Sequence, residues 1–220
     1  MAWVFNSDIK ICGQVGQDLF VRSVLKDKRE GVFVEIGSRD PDYINNTYPL
    51  EKFLGWRGIL VEMEQEYLPK YKELRPNAYP IMEDATKVDW NYHFRQANLP
   101  KDVDYLQIDL EVKNRSTLTT LEELDRQVMD TYRFATVTFE HDIYSGDHFN
   151  TRIKSREIFQ RRGYVRVFSD VQNTPSPERT WPFEDWYVHP DLVDMDFIQR
   201  IQRNESLVYT EIMKILKGET

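Results

Sequence analysis

Residues 31–40 constrain the fold more than any other stretch of this chain. They read Gly-Val-Phe-Val-Glu-Ile-Gly-Ser-Arg-Asp, a short β-branched and aromatic run that a glycine ends. Such a run is typical of a strand buried on both faces, as in a parallel sheet. Ligands of open parallel sheets bind outside the carboxyl ends of the strands, so we expect Glu35 and Gly37 at the lip of a ligand crevice.

The loop after Gly37 excludes one class of ligand. A dinucleotide needs further glycines that bring backbone amides to its pyrophosphate, but residues 38–43 read Ser-Arg-Asp-Pro-Asp-Tyr. An acidic lip with one glycine instead favours a cationic nucleoside without phosphates, a description that S-adenosylmethionine fits.

Length and charge narrow the class of protein. A chain of 220 residues is expected to form one domain, here an N-terminal helical segment 1–30, a cofactor-binding core 31–142 and an acceptor side 143–220. Its net charge of -8 argues against nucleic acid as the main partner, because nucleic-acid-binding proteins usually carry a basic face. Cys12 is the single cysteine, so no internal disulfide is expected, and no stretch approaches the ~20 apolar residues of a membrane span. We therefore expect a soluble, cytoplasmic protein.

Apolar runs alternate with helical patterns along most of the chain. Strands are predicted at 32–36, 58–62, 78–82, 103–110, 134–140, 164–168 and 183–188, the last of them antiparallel. This alternation predicts an α/β fold, a Rossmann-like doubly wound sheet that is mostly parallel with an antiparallel C-terminal strand. Residues 171–181 are predicted to be a loop that serves as a substrate lid. Residues 192–217 are predicted to form one amphipathic helix that packs on the sheet, with a dimer contact as the alternative.

Acidic side chains and a histidine follow the predicted strands at one edge of the sheet. They are Glu62, Asp84, Asp109, Glu111, Glu140 and His141. Two carboxylate oxygens suit the two hydroxyls of a ribose, which makes Glu62 the expected ribose ligand. Asp84 is placed to accept from an adenine amino group, although an acid in a surface turn is the alternative.

Two predicted helix starts face the same edge. Gln14, Gln17 and Asp18 either reach over the lip of the first strand or cap the helix that follows them. Asn46 and Thr47 precede a second helix, whose free amides can hold the carboxylate of an amino-acid ligand.

Five segments share their order and spacing with a known family. They are residues 13–20 (GQVGQDLF), 33–37 (FVEIG), 46–51 (NTYPLE), 55–62 (GWRGILVE) and 106–111 (LQIDLE). Together they resemble the FkbM-type methyltransferases, a branch of the Rossmann-like class I enzymes that use S-adenosyl-L-methionine (SAM). The resemblance implies Glu35 and Gly37 near the methionine part of SAM, Glu62 on the ribose, and Asp84 with Ala85 at the adenine. The chain departs from the family where Val112 replaces a usual glycine, which leaves the shape of the acceptor side open.

The cofactor-binding prediction gathers the residues from the lip and from both helix starts. It comprises Gln14, Gln17, Asp18, Glu35, Gly37, Ser38, Asn46, Thr47, Glu62, Met63, Asp84, Ala85 and Asp109.

The resemblance also suggests an acceptor. FkbM-type enzymes methylate oxygen on sugars and polyketides, and the chain is further similar to methyltransferase domains of chlorella-virus glycan-building proteins, whose acceptor is a deoxyhexose such as rhamnose. This implies a carbohydrate acceptor, a host-cell cytoplasm, and fusion to or action with glycosyltransferases. A small-molecule or polyketide O-methyltransferase and a non-catalytic SAM-binding scaffold are the alternatives.

Methyl transfer to a hydroxyl requires alignment and a proton acceptor. His141 and Asp109 are the candidates, since a free histidine titrates near ~6.5, although His141 can instead cap the segment after its strand. Asp109, Glu140 and His141 also suit Mg²⁺ or Mn²⁺, but carboxylates at strand ends are common without metal, so no metal is predicted. Contacts to the acceptor are predicted for Glu111, Glu140, Tyr144 and Trp186.

Overall fold

The computed structural model describes residues 4–173 and 180–219 of the chain. Its strands are β1 Val32–Ile36, β2 Arg57–Val61, β3 Ala78–Ile81, β4 Asp102–Ile108, β5 Arg133–Glu140, β6 Val165–Gln172, β7 Pro182–Val188 and β8 Arg203–Val208. Its α-helices are α1 Gln17–Val24, α2 Tyr48–Leu54, α3 Leu68–Leu74, α4 Trp90–Gln96, α5 Ser116–Gln127, α6 Thr151–Arg161, α7 Met195–Ile201 and α8 Tyr209–Lys217. No described helix is both long enough and apolar enough to cross a bilayer.

All of these strands join one sheet in the order β3-β2-β1-β4-β5-β7-β6-β8. Strands β1 to β5 are parallel, whereas β7 runs antiparallel to both β5 and β6. The predicted α/β class, with its mostly parallel sheet and antiparallel C-terminal strand, is confirmed. Because β1 lies between β2 and β4, the strand order reverses there and opens the crevice that such sheets use for ligands.

Helices cover both faces of the sheet, which explains the apolar sequence of the central strands. In β1, Val34 packs in a core with α4, α5 and α6, while Phe33 packs in a second core with α1, α2 and α8. Successive side chains point to opposite faces of a strand, so both faces require apolar residues. All five residues of β1 are accordingly buried.

The prediction of one helix over residues 192–217 is wrong. This region contains α7, the short strand β8 and α8, and β8 pairs with β6 in parallel. Its middle residues Asn204, Glu205 and Ser206 are exposed, as is usual for an edge strand. The apolar residues of α7 and α8, on either side of β8, keep a near-helical spacing along the sequence. Hydrophobic periodicity alone therefore predicted one continuous helix and missed the strand.

One further helix and one strand boundary differ from the sequence prediction. Helix α4 was not predicted, and its start is fixed by Asp89, whose carboxylate accepts from Tyr92 N at 2.9 Å. Strand β6 extends to Gln172, so the predicted lid begins inside a strand. Residues 174–179 of that lid lie outside the described residues.

Candidate active site

A cavity of about 470 Å³ lies at the carboxyl ends of β1 to β5. The turns after these strands line it with Gly37, Glu62, Met63, Asp84, Ala85, Asp109, Glu111, Glu140 and Asp142. Acids that are far apart in the sequence therefore meet at one edge of the sheet, because parallel strands end on the same side.

Glu62 is fixed in this cavity by the backbone. Its Oε1 accepts from the N–H groups of Met63 at 2.7 Å and Glu64 at 2.9 Å, and its Oε2 accepts from Arg39 N at 3.0 Å. The residue is 7% exposed and lines the cavity. A carboxylate has about four lone-pair positions and these bonds fill three of them, so one position on Oε2 remains for a further donor such as a ribose hydroxyl.

Asp84 is both a cap and a cavity-lining acid. Its Oδ1 accepts from Thr86 N at 3.0 Å and Thr86 Oγ1 at 2.7 Å, and its Oδ2 lies 2.8 Å from Lys87 Nζ. The hydrogen bonds from Lys87 and Thr86 lower the pKa of Asp84, so it is ionised at neutral pH. The turn role and the adenine role that the sequence left open are thus compatible.

Glu35 does not line the cavity but lies beneath its lip in a buried network. Thr47 Oγ1 donates to Glu35 Oε2 at 2.6 Å, and Asn46 N donates to Glu35 Oε1 at 3.2 Å. Arg75 Nη1 lies 4.0 Å from Glu35 Oε2, with both side chains at most 1% exposed. Glu35, Asn46 and Thr47, which all belong to the predicted cofactor set, therefore bind one another and anchor the start of α2.

Ser38 and Gly37 hold the loop after β1 against its neighbours. Ser38 Oγ lies 2.7 Å from the Tyr71 hydroxyl and 3.3 Å from Val61 O. Gly37 has φ +85°, and a Cβ on it would lie 1.8 Å from the carbonyl oxygen of Asp109. The glycine is thus required by the approach of the β4 turn as well as by its own conformation.

The predicted residues at the start of α1 bind the preceding loop. Asp18 accepts from Cys12 N at 2.8 Å and Gly13 N at 3.2 Å, and Gln17 Oε1 accepts from Val15 N at 3.0 Å. Burial raises the pKa of Asp18 to about 6, against the effect of these hydrogen bonds. Neither side chain lines the cavity, and nor does the exposed Gln14.

His141 lies outside the cavity in a buried cluster on the other side of β5. Its Nε2 is 3.4 Å from Asp170 Oδ1 and 3.6 Å from Asp185 Oδ1, and its Nδ1 accepts from Ile143 N at 3.3 Å. Glu140 lines the cavity, and the next side chain along an extended chain points the opposite way. The structure therefore does not bring the two predicted catalytic residues, His141 and Asp109, together.

The same geometry separates the possible metal ligands. Within the described chain, His141, Asp170 and Asp185 are the three residues whose ligand atoms lie close enough for one ion. Arg152 already pairs with Asp170 at 2.5 Å, and Arg156 pairs with Asp185 at 2.6 Å. Both carboxylates thus have cationic partners without a metal.

An acidic row, defined here as Asp109, Glu140 and Glu184, crosses β4, β5 and β7, and two of its members, Asp109 and Glu140, line the cavity. Glu140 pairs in register with Glu184, and Asp109 follows the Ile108 that pairs with Phe139. Burial and Asp109 raise the pKa of Glu140 well above its usual range, and burial raises the pKa of Glu184 to about 8. Sequence reasoning missed Glu184, although its position two residues before the buried Trp186 places both side chains on one face of β7.

The predicted aromatic contacts divide into core and surface. Trp186 is fully buried, with its ring 5.0 Å from Phe20 and 5.5 Å from Phe168, so it packs in the core. Tyr144 is 47% exposed and stacks on Trp181 with ring centroids 5.9 Å apart. Burial and the nearby Asp142 and Glu140 raise the pKa of Tyr144, which places this exposed pair beside the acidic end of the cavity.

Known proteins share the fold at low sequence identity. No protein-family model matches the chain, and no curated protein matches its sequence. A protein described as an rRNA-methylase from Clostridium thermocellum superposes with a TM-score of 0.53 at 13% identity, over 81% of this chain and 98% of that one. The methyltransferase domain of bacterial CtHen1-C gives 0.51 at 11% identity, over 80% and 96% of the two chains. The small RNA methyltransferase HEN1 gives 0.50 at 11% identity, over 79% of this chain and 25% of that one. With its sheet order and its cavity at the strand ends, this chain therefore has the Rossmann-like fold of the class I methyltransferases.

Proposed function

We propose that this chain is a SAM-dependent O-methyltransferase whose acceptor is a sugar hydroxyl of a glycan. The observation that carries the proposal is the Glu62 carboxylate, which three backbone N–H groups fix at the cavity wall. Asp84 and Ala85 lie next to it at the end of β3, where an adenine would follow a ribose. The fold supports this assignment, since the superposing proteins are described as methyltransferases.

The acceptor is proposed from the acidic end of the cavity and the aromatic pair beside it. Carboxylates accept hydrogen bonds from sugar hydroxyls, and an aromatic ring packs against the apolar face of a pyranose. We propose these contacts for Glu111 and Glu140, which line the cavity, and for Tyr144 beside it, whereas Trp186 is buried in the core. A deoxyhexose such as rhamnose, which carries a methyl group in place of the hydroxymethyl group of a hexose, suits the exposed pair of Tyr144 and Trp181.

An RNA acceptor, which the names of two structural neighbours raise, is disfavoured by charge. Eight acidic residues line the cavity, and Arg39 is the basic residue among the described lining. RNA binding depends on basic side chains that neutralise the phosphates, and this acidic lining would repel the phosphates. The net charge of -8 acts in the same direction.

The catalytic roles follow from position. When bound, SAM supplies a methyl group on a positively charged sulfur. Asp109 lines the cavity beside Glu140, and we propose that it orients the acceptor hydroxyl. His141 is proposed to act at a distance, by fixing the turn after β5 through its contacts to Asp170 and Asp185.

Calorimetric titration with SAM and S-adenosylhomocysteine (SAH) tests the cofactor. We expect both to bind the wild type, and Glu62→Ala to weaken SAM at least about tenfold, because a hydrogen bond to a charged group contributes about 1.5–3 kcal/mol. Glu205→Ala, on the exposed face of β8, is the matched control and should bind as the wild type does. Absence of binding to the wild type would refute the proposed cofactor.

Acceptor profiling with isotope-labelled SAM then separates the candidate activities. The panel contains methyl rhamnoside, other methyl glycosides, a polyketide alcohol and an RNA oligonucleotide. Methylation of a glycoside supports the proposal, whereas exclusive methylation of the polyketide alcohol or the RNA would replace it. Cofactor binding without transfer to any of them would favour a non-catalytic SAM-binding scaffold.

A further inference from the structure

The acidic row contains more carboxylates than can all be ionised together. Asp109 follows β4, Glu140 ends β5 and Glu184 lies opposite Glu140 on β7. Glu184 is 4% exposed, and its Oε1 has no hydrogen-bond partner in the described part of the protein. Like charges that share a buried site favour protonation of at least one member.

The charges around Glu140 come from every element that packs against it. Asp109 and Asp142 are the acids that act on it most strongly, with Glu111 next to Asp142 and Glu184 across the strand pair. On the far side of β5, the His141 side chain lies next to the carboxylates of Asp170 and Asp185 rather than next to Glu140. The neighbours that act most strongly on Glu140 are therefore acids, which together with burial raise its pKa and favour its protonated form.

A protonated carboxyl cannot accept the proton of a hydroxyl. For Glu140 to act as a base, a positive charge must first favour its ionised form. If Asp84 and Glu62 hold the adenine and ribose, the sulfur end of the cofactor extends along the cavity toward Asp109 and Glu140. A positive charge within about 4–6 Å of a carboxyl group favours its ionised form.

Building on the proposed function, we propose that Glu140 takes the proton of the acceptor hydroxyl, and that the positive charge of the bound cofactor first removes the proton that Glu140 carries. That first proton leaves to solvent when the cofactor binds. In the transfer step the bond between sulfur and the methyl carbon breaks and its electron pair stays on sulfur. The acceptor oxygen forms the new bond to that carbon, and its proton moves to Glu140. The product SAH is neutral at sulfur, so the positive charge that favoured ionisation of Glu140 is gone, and Glu140 retains the proton until the next cofactor binds.

Calorimetry in buffers of different ionisation enthalpy measures this directly, because the slope of the binding enthalpy against the buffer enthalpy counts the protons released. At pH 7 we expect SAM to release more protons than SAH, by about half a proton to one proton per site. Both molecules carry the same amino and carboxyl groups, so the difference reports the charge on sulfur. In Glu140→Gln the difference should vanish while SAM still binds, and Glu205→Gln should behave as the wild type does.

The outcomes separate this inference from the function on which it rests. No SAM binding by the wild type refutes the proposed function. Tight binding of SAM and SAH with equal proton release refutes the role of Glu140 and leaves the cofactor assignment standing. Asp142→Asn provides a second variant if Glu140→Gln fails to fold: with one negative neighbour fewer, Glu140 should release a smaller fraction of a proton. With the glycoside identified by profiling, Glu140→Gln should lower kcat at least tenfold with little change in the Kd of SAM, and unchanged kcat would overturn the proposal.

Discussion

Replacing Arg75 by methionine tests whether the buried network under the cavity lip is structural. Arg75 Nε donates to Glu51 Oε2 at 2.7 Å and Nη2 donates to Thr47 Oγ1 at 2.6 Å, while Nη1 lies 4.0 Å from Glu35 Oε2. The arginine is fully buried, and the two glutamates are 1% and 4% exposed. The substitution keeps an unbranched side chain but leaves two buried carboxylates without their cation.

We expect Arg75→Met to lower the free energy of unfolding by about 3–5 kcal/mol, the usual cost of removing one partner from a buried ion pair. That is a large share of the ~5–15 kcal/mol that stabilises a typical domain. Urea unfolding followed by tryptophan fluorescence and circular dichroism measures the change. Arg126→Met, which removes an exposed arginine paired with Glu123, is the control and should leave the urea midpoint unchanged.

The pH dependence of this loss gives an independent check. Burial raises the pKa of Glu35 and Arg75 opposes the rise, so without Arg75 the folded state binds a proton at Glu35 more readily. A carboxyl whose pKa is higher in the folded than in the unfolded state stabilises the fold at low pH and loses that contribution as pH rises. The deficit of Arg75→Met should therefore be smaller at pH 5 than at pH 8. A deficit below about 1 kcal/mol, or one that is equal at both pH values, would refute a structural pairing of Arg75 with these glutamates.

Three further substitutions test other parts of the site. Gly37→Ala should lower the free energy of unfolding by more than about 2 kcal/mol in urea titrations, because its Cβ would meet the Asp109 carbonyl and its φ is +85°; an unchanged midpoint would contradict that contact. Burial raises the pKa of Glu184 to about 8 in the folded protein, against ~4.3 when unfolded, so its stabilising contribution is lost as pH rises between these values. Glu184→Gln should therefore flatten the fall in stability between about pH 5 and pH 8. Tyr144→Ala should raise the KM for a glycoside with an unchanged urea midpoint, whereas Trp186→Ala should lower stability by about 3–5 kcal/mol, and the reverse pattern would exchange their assigned roles.

The central strands were readable from the sequence because parallel strands covered on both faces are continuous apolar runs. The predicted strands 32–36, 58–62 and 134–140 differ from the observed ones by at most one residue at either end. Helix α2 was equally clear, since Pro49 lies in its first turn and Gly55 ends it with φ +72°.

The partners of the polar residues were not readable, because ion pairs between distant segments leave no local pattern. Glu35 has the sequence position of a cofactor ligand. Its carboxylate instead contacts Thr47 at the start of α2 and Arg75 at the end of α3. The direction of His141 was accessible in principle. Strand alternation places it opposite Glu140, so the two residues could not have been expected to share one site.

The same alternation explains why the pKa of Asp185 is lowered while the pKa values of Glu140 and Glu184 are raised, although these residues are neighbours in the sheet. Glu140, which lines the cavity, and its register partner Glu184 share one face of the strand pair. Their neighbours His141 and Asp185 point to the other face, where Arg156 and His141 hold the pKa of Asp185 well below its usual range despite its burial. One face of this strand pair is thus neutralised by the protein itself. On the face that carries Glu140 and Glu184, burial raises the pKa of each carboxyl and so disfavours its charged form. A cationic ligand would supply the missing charge, so the site is expected to bind SAM more tightly than the product SAH, which is neutral at sulfur.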